Sequence, residues 1–412
     1  MTNEVLQKIA SDEQNISSSN GLEPSLRFKN FTKKWNSISL KEIGTFQKGA
    51  PLSKADISQE GNPFILYGEL YTTYSEVTYN VFRKTNKKVD KIYFSNVGDV
   101  ILPTSGETPE EIATATCIMI PDVILAGDLY IFRQNKIDGR ILSYIINHTV
   151  NGKISRIAQG KSVVHVRSEE LGKIIINYPT NDEQQKIADF LSLIDQRIEK
   201  QRQLVESLKK YKRGLFLKLY NDSDKSIISF KNIYEMASEG GTPSTSDSEN
   251  YENGKIPFIK IDDLNQHYLN FAKYFITEKG LKKSSAWIVP ENSIIYSNGA
   301  TIGACSINKI PVTTKQGILG IVPKSNFSVE FLYFLFTSSI FKQKIRAITT
   351  KGTMDSAYLK DINGIKISIP DFIAQQKIAK IMVDFENLIE RTELSFIYLQ
   401  NIKKALLQQM FI

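Results

Sequence analysis

Pro179-Thr180-Asn181-Asp182-Glu183-Gln184-Gln185-Lys186-Ile187-Ala188 returns later in the chain as Pro370-Asp371-Phe372-Ile373-Ala374-Gln375-Gln376-Lys377-Ile378-Ala379. The two stretches are offset by 191 residues (370 minus 179), and the match continues without a gap. Ile198 corresponds to Ile389, Glu199 to Glu390, Leu208 to Leu399, Lys212 to Lys403 and Leu215 to Leu406. A period this long exceeds any solenoid unit and describes a duplicated domain followed by a helix.

Each copy carries an apolar seam with alternating steps of four and three. The first runs Ile187, Leu191, Ile194, Ile198, Gln201, Val205, Leu208, Lys212, Leu215, Leu219. The second runs Ile378, Met382, Phe385, Ile389, Thr392, Phe396, Leu399, Lys403, Leu406, Met410. A 3.5-residue period held this long predicts a coiled coil, and two copies in one chain predict that they pair with each other. The polar interruptions coincide, Gln201 with Thr392 and Lys212 with Lys403. Polar seam residues cost stability but fix register and partner. Thr180 with Glu183 reads as a capping box, and Asp371 as the N-cap of the second helix.

Length and composition bound the rest. A chain of 412 residues, 41% hydrophobic and 23% charged, has room for two or three domains with their own cores. No apolar run approaches the roughly 20 residues of a membrane span, and the first twenty residues are too polar for a secretory signal. Cys117 and Cys305 alone make no disulfide framework and suit a reducing cytoplasm. His148, His165 and His267 lack ligand spacing, so no metal site is expected. The formal charge of +8 permits a nucleic-acid partner without requiring one. The basic group Lys209, Lys210, Lys212, Arg213 is as consistent with a solvated helix end as with a DNA contact.

The predicted organisation is a flexible tail over 1–22, a first domain over 23–179, a long helix over 180–221, a second domain over 222–370 and a second long helix over 371–412. Short β-type runs fill the first domain: Phe64–Tyr67, Val100–Leu102, Cys117–Ile120, Leu129–Phe132 and Ile174–Ile176, with a helix near Arg140–Val150. Its framework recurs, Pro63-Phe64-Ile65 as Pro257-Phe258-Ile259 and Gly98–Leu102 as Glu291–Ile295. The loops do not: Tyr67–Tyr74 in one domain stands against Lys260–Leu264 in the other. One scaffold with two sets of loops suits a pair of binding domains with different targets.

The chain resembles the DNA-specificity (S) subunit of a bacterial type I restriction–modification enzyme, over nearly its whole length. The resemblance lies in Pro24–Phe28 ahead of Trp35, in Tyr67–Tyr74 and Ser105-Gly106-Glu107-Thr108, and in Gly240-Gly241-Thr242-Pro243-Ser244-Thr245 with Tyr251 and Ile256–Ile259. The proline followed by Gln-Gln-x-Ile-Ala, present twice, carries most of it. The second domain lacks a counterpart of Trp35. The resemblance implies an α+β chain: two homologous mixed target-recognition domains, each reading one half of a split double-stranded DNA target. The two helices pair antiparallel, space the domains and dock two methyltransferase (M) subunits, through which motor–nuclease (R) subunits join. Such a tandem arrangement has a pseudo-two-fold axis that fits the dyad of B-DNA, and divergent loops imply an asymmetric target.

Enzyme motifs fail on inspection. Gly160-Lys161-Ser162 ends like a phosphate-binding loop, but the required first glycine is Ser155. No Asn/Asp-Pro-Pro-aromatic tetrapeptide exists to hold a flipped base, and Asn62-Pro63-Phe64 reads as a strand entry. No active site and no cofactor are expected. The candidate DNA-facing residues are Tyr67, Glu69, Tyr74, Thr104, Ser105 and Thr108 in the first domain and Thr242, Ser244, Ser297, Asn298, Lys315 and Gln316 in the second. The tyrosines suit a core equally well. Gly160 with Lys161, and Lys351 with Gly352, are candidate phosphate clamps or simple glycine turns. Helix pairing and partner docking are assigned to Ile187, Leu191, Ile194, Ile198, Leu208, Ile378, Phe385, Ile389 and Leu399. A coiled-coil scaffold for two protein-binding domains is the competing class.

Overall fold

The computed structural model describes residues 23–160, 163–264, 266–299, 301–349 and 356–412. Two compact units emerge, one ending at Lys200 and completed by Phe396–Ile412, the other comprising Gln201–Ser395. Each therefore holds one domain plus half of each long helix.

In the first unit a five-stranded sheet runs in the order Gly44–Lys48, Leu129–Gln134, Asp99–Pro103, Thr116–Ile118, Val77–Thr78. A three-stranded sheet, Arg83–Thr85, Asn62–Leu66, Ile124–Ala126, lies beside it, and Asn36–Ser39 pairs with Ile175–Tyr178. The second unit repeats this order strand for strand: Tyr234–Glu239, Ile318–Pro323, Ile294–Ser297, Cys305–Asn308, Tyr268–Leu269, then Tyr274–Ile276, Ile256–Ile259, Thr313–Thr314, with Lys225–Ser229 on Lys366–Pro370. Even the parallel pairings recur, Val77–Thr78 beside Cys117 and Tyr268–Leu269 beside Ile307. The expected strands are present within a few residues. The helix expected near Arg140–Val150 is α1 (Gly139–Ile145), followed by a π-turn at Ile146–Val150 and a further helix at Asn151–Ile157.

The long helices α2 (Asn181–Asn221) and α4 (Phe372–Met410) have 41 and 39 residues, about 60 Å each at 1.5 Å per residue. Between them in sequence, α3 (Val329–Thr337) is the counterpart of α1. All ten positions of each seam are buried or half-buried. The ends of the seams serve the domain cores. Ile187, Ala188 and Leu191 of α2 pack with Leu407, Met410 and Phe411 among Trp35, Tyr144 and Ile176. In the second unit Phe216, Tyr220, Ile378 and Met382 pack among Phe331, Phe334 and Ile367.

Within each unit the helix halves run antiparallel. In the second, Gln201 Nε2 donates to the Thr392 carbonyl at 3.1 Å, and Lys212 contacts Glu386. In the first, Lys403 Nζ lies 2.7 Å from Asp195 Oδ1. Asp195 and Glu386 occupy equivalent places in the repeat, as do Lys212 and Lys403, so the same acid–lysine bond is made twice. The two polar interruptions Gln201 and Thr392 meet each other.

The first glutamine of each Gln-Gln pair explains why that motif repeats. Gln184 Nε2 donates to the Pro179 carbonyl at 2.9 Å while its Oε1 accepts the Asp138 N–H at 2.7 Å. Gln375 does the same with Pro370 and Ser328, both at 2.9 Å. Asp138 and Ser328 are the N-caps of α1 and α3. Each buried amide thus ties the head of a long helix to the head of its domain's core helix, and a buried polar group is satisfied twice over. The capping box expected of Glu183 is corrected: this fully buried carboxylate instead takes Arg27 Nε and Nη2, each at 2.7 Å. Asp371 does cap, accepting the Ala374 N–H at 2.7 Å.

Adjacent positions on α4 separate packing from surface. Ile389 is 6% exposed and Leu388 47%. Ile389→Asp buries an unpaired charge and is expected to destabilise the second unit by about 3 kcal/mol. Leu388→Asp should change stability by less than about 0.5 kcal/mol. Thermal unfolding followed by far-UV circular dichroism checks both, and equal melting temperatures would refute the seam.

Candidate nucleic-acid interface

At one end of the sheets of the first unit four loops converge: the run after Lys48, the turn Tyr67–Glu69, the segment Thr104–Thr108 and the turn at Gly127-Asp128. They enclose a cleft of about 970 Å³ lined by Lys54, Tyr67, Glu69, Tyr71, Arg83, Ser105, Glu107 and Asp128, among others. A smaller cleft of about 460 Å³ adjoins it at Lys48, Thr104, Asp128 and His165. Gly127 has φ +78, a conformation glycine adopts without steric cost, and it aims Asp128 into both clefts. In the second unit Gly317, with φ +85, closes the equivalent turn behind Lys315 and Gln316.

The candidate residues divide by burial. Tyr67, Glu69 and Ser105 meet around the larger cleft, and Thr104 lines the smaller. Glu69, however, is 5% exposed and committed: Oε2 accepts the Leu66 N–H at 3.0 Å and Oε1 takes Arg83 Nε at 2.7 Å. Asp263 repeats that capping role on Lys260 N. Tyr74 is a core residue whose hydroxyl accepts the Phe82 N–H at 3.3 Å, and burial pushes its pKa up to about 12. Thr108 is exposed and caps the short helix Pro109–Ile112. Ser297 and Asn298 lie inside the second domain, Asn298 Nδ2 donating to the Ala357 carbonyl at 3.1 Å. Thr242, Ser244, Lys315 and Gln316 are exposed, and the Gln316 N–H donates to Thr242 Oγ1 at 3.3 Å. Gly160 has φ +141, as a tight turn requires. Lys161, Lys351 and Gly352 fall outside the described residues, as does the tail 1–22.

Sequence reading missed Lys48, Lys54, Tyr71, Arg83 and Asp128. Lys48, Tyr71 and Asp128 stand within three residues of Gly49, Gly68 and Gly127, and nothing local marks Lys54 or Arg83. Among the described residues no group of three or more histidine, cysteine or acidic side chains is arranged to hold a metal ion. No described helix is long and apolar enough to cross a membrane. Cys117 and Cys305 are buried free thiols.

A family model for the type I restriction–modification DNA specificity domain matches residues 32–210 and again 223–397. The chain belongs to that family. Its two specificity domains coincide with the two sheet-bearing repeats just described. Among curated relatives, it is 33% identical over 192 residues to the type I restriction enzyme MjaIX specificity subunit of Methanocaldococcus jannaschii, covering 46% of this chain and 44% of that one. It is 30% identical over 153 residues to the EcoR124I/EcoR124II specificity subunit of Escherichia coli, covering 36% and 38%. The matched part is thus under half the length of either relative. The crystal structure of a type I restriction–modification S subunit from M. genitalium superposes over 95% of this chain and 99% of that one, with TM-score 0.58 and 18% identity, a likeness of fold.

Charge is concentrated where each specificity domain meets the helices. In the first unit Lys403 Nζ lies 2.8 Å from Glu76 Oε2, and His148 Nε2 lies 2.7 Å from Glu76 Oε1. The Tyr144 hydroxyl donates to Asp195 at 2.7 Å. In the second unit His267 takes the place of Glu76: each gives its carbonyl to the neighbouring strand, to Ile307 N and Cys117 N respectively. The His267 ring is stacked between Tyr268 and Tyr333, both centroids 4.0 Å away, with Nδ1 2.6 Å from Glu386 Oε2. Burial alone would raise the Glu76 pKa. The His148 bond and the Lys403 charge override it and bring it from 4.5 down to about 2. A depressed folded-state value means this contribution is complete above about pH 4.5 and is lost as pH falls toward 2. The first unit is therefore expected to lose stability steeply below pH 4.5, and Glu76→Gln to flatten that limb. Melting temperatures from pH 7 to 3 test it, and an unchanged slope in the variant would contradict the assignment.

Proposed function

We propose that this chain is the sequence-reading subunit of a type I restriction–modification assembly. Each specificity domain reads one half of a bipartite double-stranded DNA target, and the long helices carry methyltransferase subunits, through which motor–nuclease subunits join. One observation carries the reading. Two units share strand order, capping acids and glutamine clamps, yet carry unrelated exposed residues on the same turn, Asp128 in one and Lys315 with Gln316 in the other. A duplicated frame with divergent loops suits two independent readers of different half-sites. The relatives' names as specificity subunits support it.

The docking part rests on the outward faces of the helices. The seam residues Ile187, Leu191, Ile378 and Ile389 are buried and so unavailable to a partner. Leu193, Leu204 and Tyr211 of α2 and Ile381, Leu388, Leu394, Ile397 and Tyr398 of α4 are 43–65% exposed. Large apolar side chains left exposed in this number on a helix support an interaction surface.

Two experiments test the proposal. Exchanging residues 23–178 for those of a relative should change one half of the sequence selected from randomised duplexes and leave the other intact. A change in both halves would end the idea of independent readers, and selection insensitive to the exchange would favour the protein-scaffold alternative. Leu388→Asp, a folded variant on the argument above, should lower copurification with a methyltransferase subunit at least tenfold. Undiminished copurification would place docking elsewhere.

A further inference from the structure

Asp128 differs from Glu69 and Glu111 of the same loop end. Its main chain is pinned: the Asp128 carbonyl accepts the Thr104 N–H at 2.7 Å, Gly127 N donates to Ala50 O at 2.8 Å, and Leu129 N donates to Gly127 O at 2.8 Å. Its side chain is oriented too. Oδ2 accepts the hydroxyl of Ser105, a residue only 3% exposed, at 3.0 Å. The residue is itself exposed and lines both clefts. Among the described residues no cation pairs with it. Glu111, by contrast, is occupied by the N–H groups of Glu107 and Thr108, and Glu69 by Leu66 and Arg83.

An oriented carboxylate with no cationic partner among the described residues, on a surface that receives a polyanion, is repelled unless a donor awaits it. In the major groove those donors are the exocyclic amines, cytosine N4 and adenine N6. Guanine and thymine turn O6, N7 or O4 acceptors to the same edge. The second domain carries the opposite chemistry on the same turn, where exposed Lys315 and Gln316 offer donors.

Resting on the reading of this loop end as the DNA surface, we propose that Asp128 is a specificity-determining residue of the first domain. Its free carboxylate oxygen accepts a hydrogen bond from the exocyclic amine of one base. That position of the half-site is adenine or cytosine on the contacted strand, and guanine and thymine are rejected because acceptor would face acceptor. Ser105 is a positioning residue that holds the carboxylate.

The test is selection from randomised duplexes by the full chain with its methyltransferase partner, comparing wild type, Asp128→Asn and Asp128→Lys. Wild type should prefer adenine or cytosine about tenfold or more at one position of the half-site that moves when residues 23–178 are exchanged. Asp128→Asn, which keeps the shape and the Ser105 bond, should narrow that position to adenine, whose N6 and N7 suit an amide. Asp128→Lys should turn it to guanine or thymine. The other half-site should not change. Unaltered base preference in folded Asp128→Asn and Asp128→Lys, or a uniform gain in affinity for all sequences, would overturn the assignment and leave Asp128 as a phosphate-repelling group. If the domain exchange still moves the half-site, only this inference falls. If the exchange has no effect either, the DNA-reading role falls with it.

Discussion

A helix of forty residues with an apolar stripe has to be covered along its length, because neither intrinsic propensity nor isolated hydrogen bonds hold it in water. Here the cover comes from two sources. Domain cores seal the ends of the seams, through Leu191 and Met410 in one unit and Leu219 and Met382 in the other. The facing helix seals the intervening positions. Charge agrees with the antiparallel run inside each unit, Asp195 lying beside Lys403 in one and Glu386 beside Lys212 in the other. Half-buried acid–lysine pairs add little net stability but penalise arrangements that separate them, so they favour this pairing more than they stabilise it.

The same coupling explains why the motif at the head of each helix is so plainly repeated. Gln184 and Gln375 each join a proline carbonyl to the N-cap of a core helix. An amide is needed because one side chain must donate and accept at once. The following Ile and Ala enter the core directly, as Ile187, Ala188, Ile378 and Ala379 do. The loops have no such obligation. Where an acid has to cap a turn, it recurs as Glu69 and Asp263; where a side chain faces solvent, the copies diverge. Between these extremes lie Glu76 and His267, equivalent places with opposite charge chemistry, each answered by a different residue of α4: Lys403 for the one, Glu386 for the other.

The amino-acid sequence determined the duplication, the 3.5-residue seams, the polar interruptions at Gln201, Thr392, Lys212 and Lys403, and the family resemblance, because periodicity and repetition are local properties of a chain. It located the loop end only roughly. Glu69, Tyr74, Ser297 and Asn298 bear hydrogen-bonding heads between β-type runs, as surface readers do, yet the fold buries them, Glu69 against Arg83 and Asn298 against Ala357. Asp128 was invisible for the converse reason. Its orientation depends on Ser105 and Thr104, more than twenty residues earlier, and on Ala50. Which polar groups are spent inside the fold and which are left for a ligand is settled by non-local hydrogen bonds and burial, and those exist only once the tertiary structure has formed.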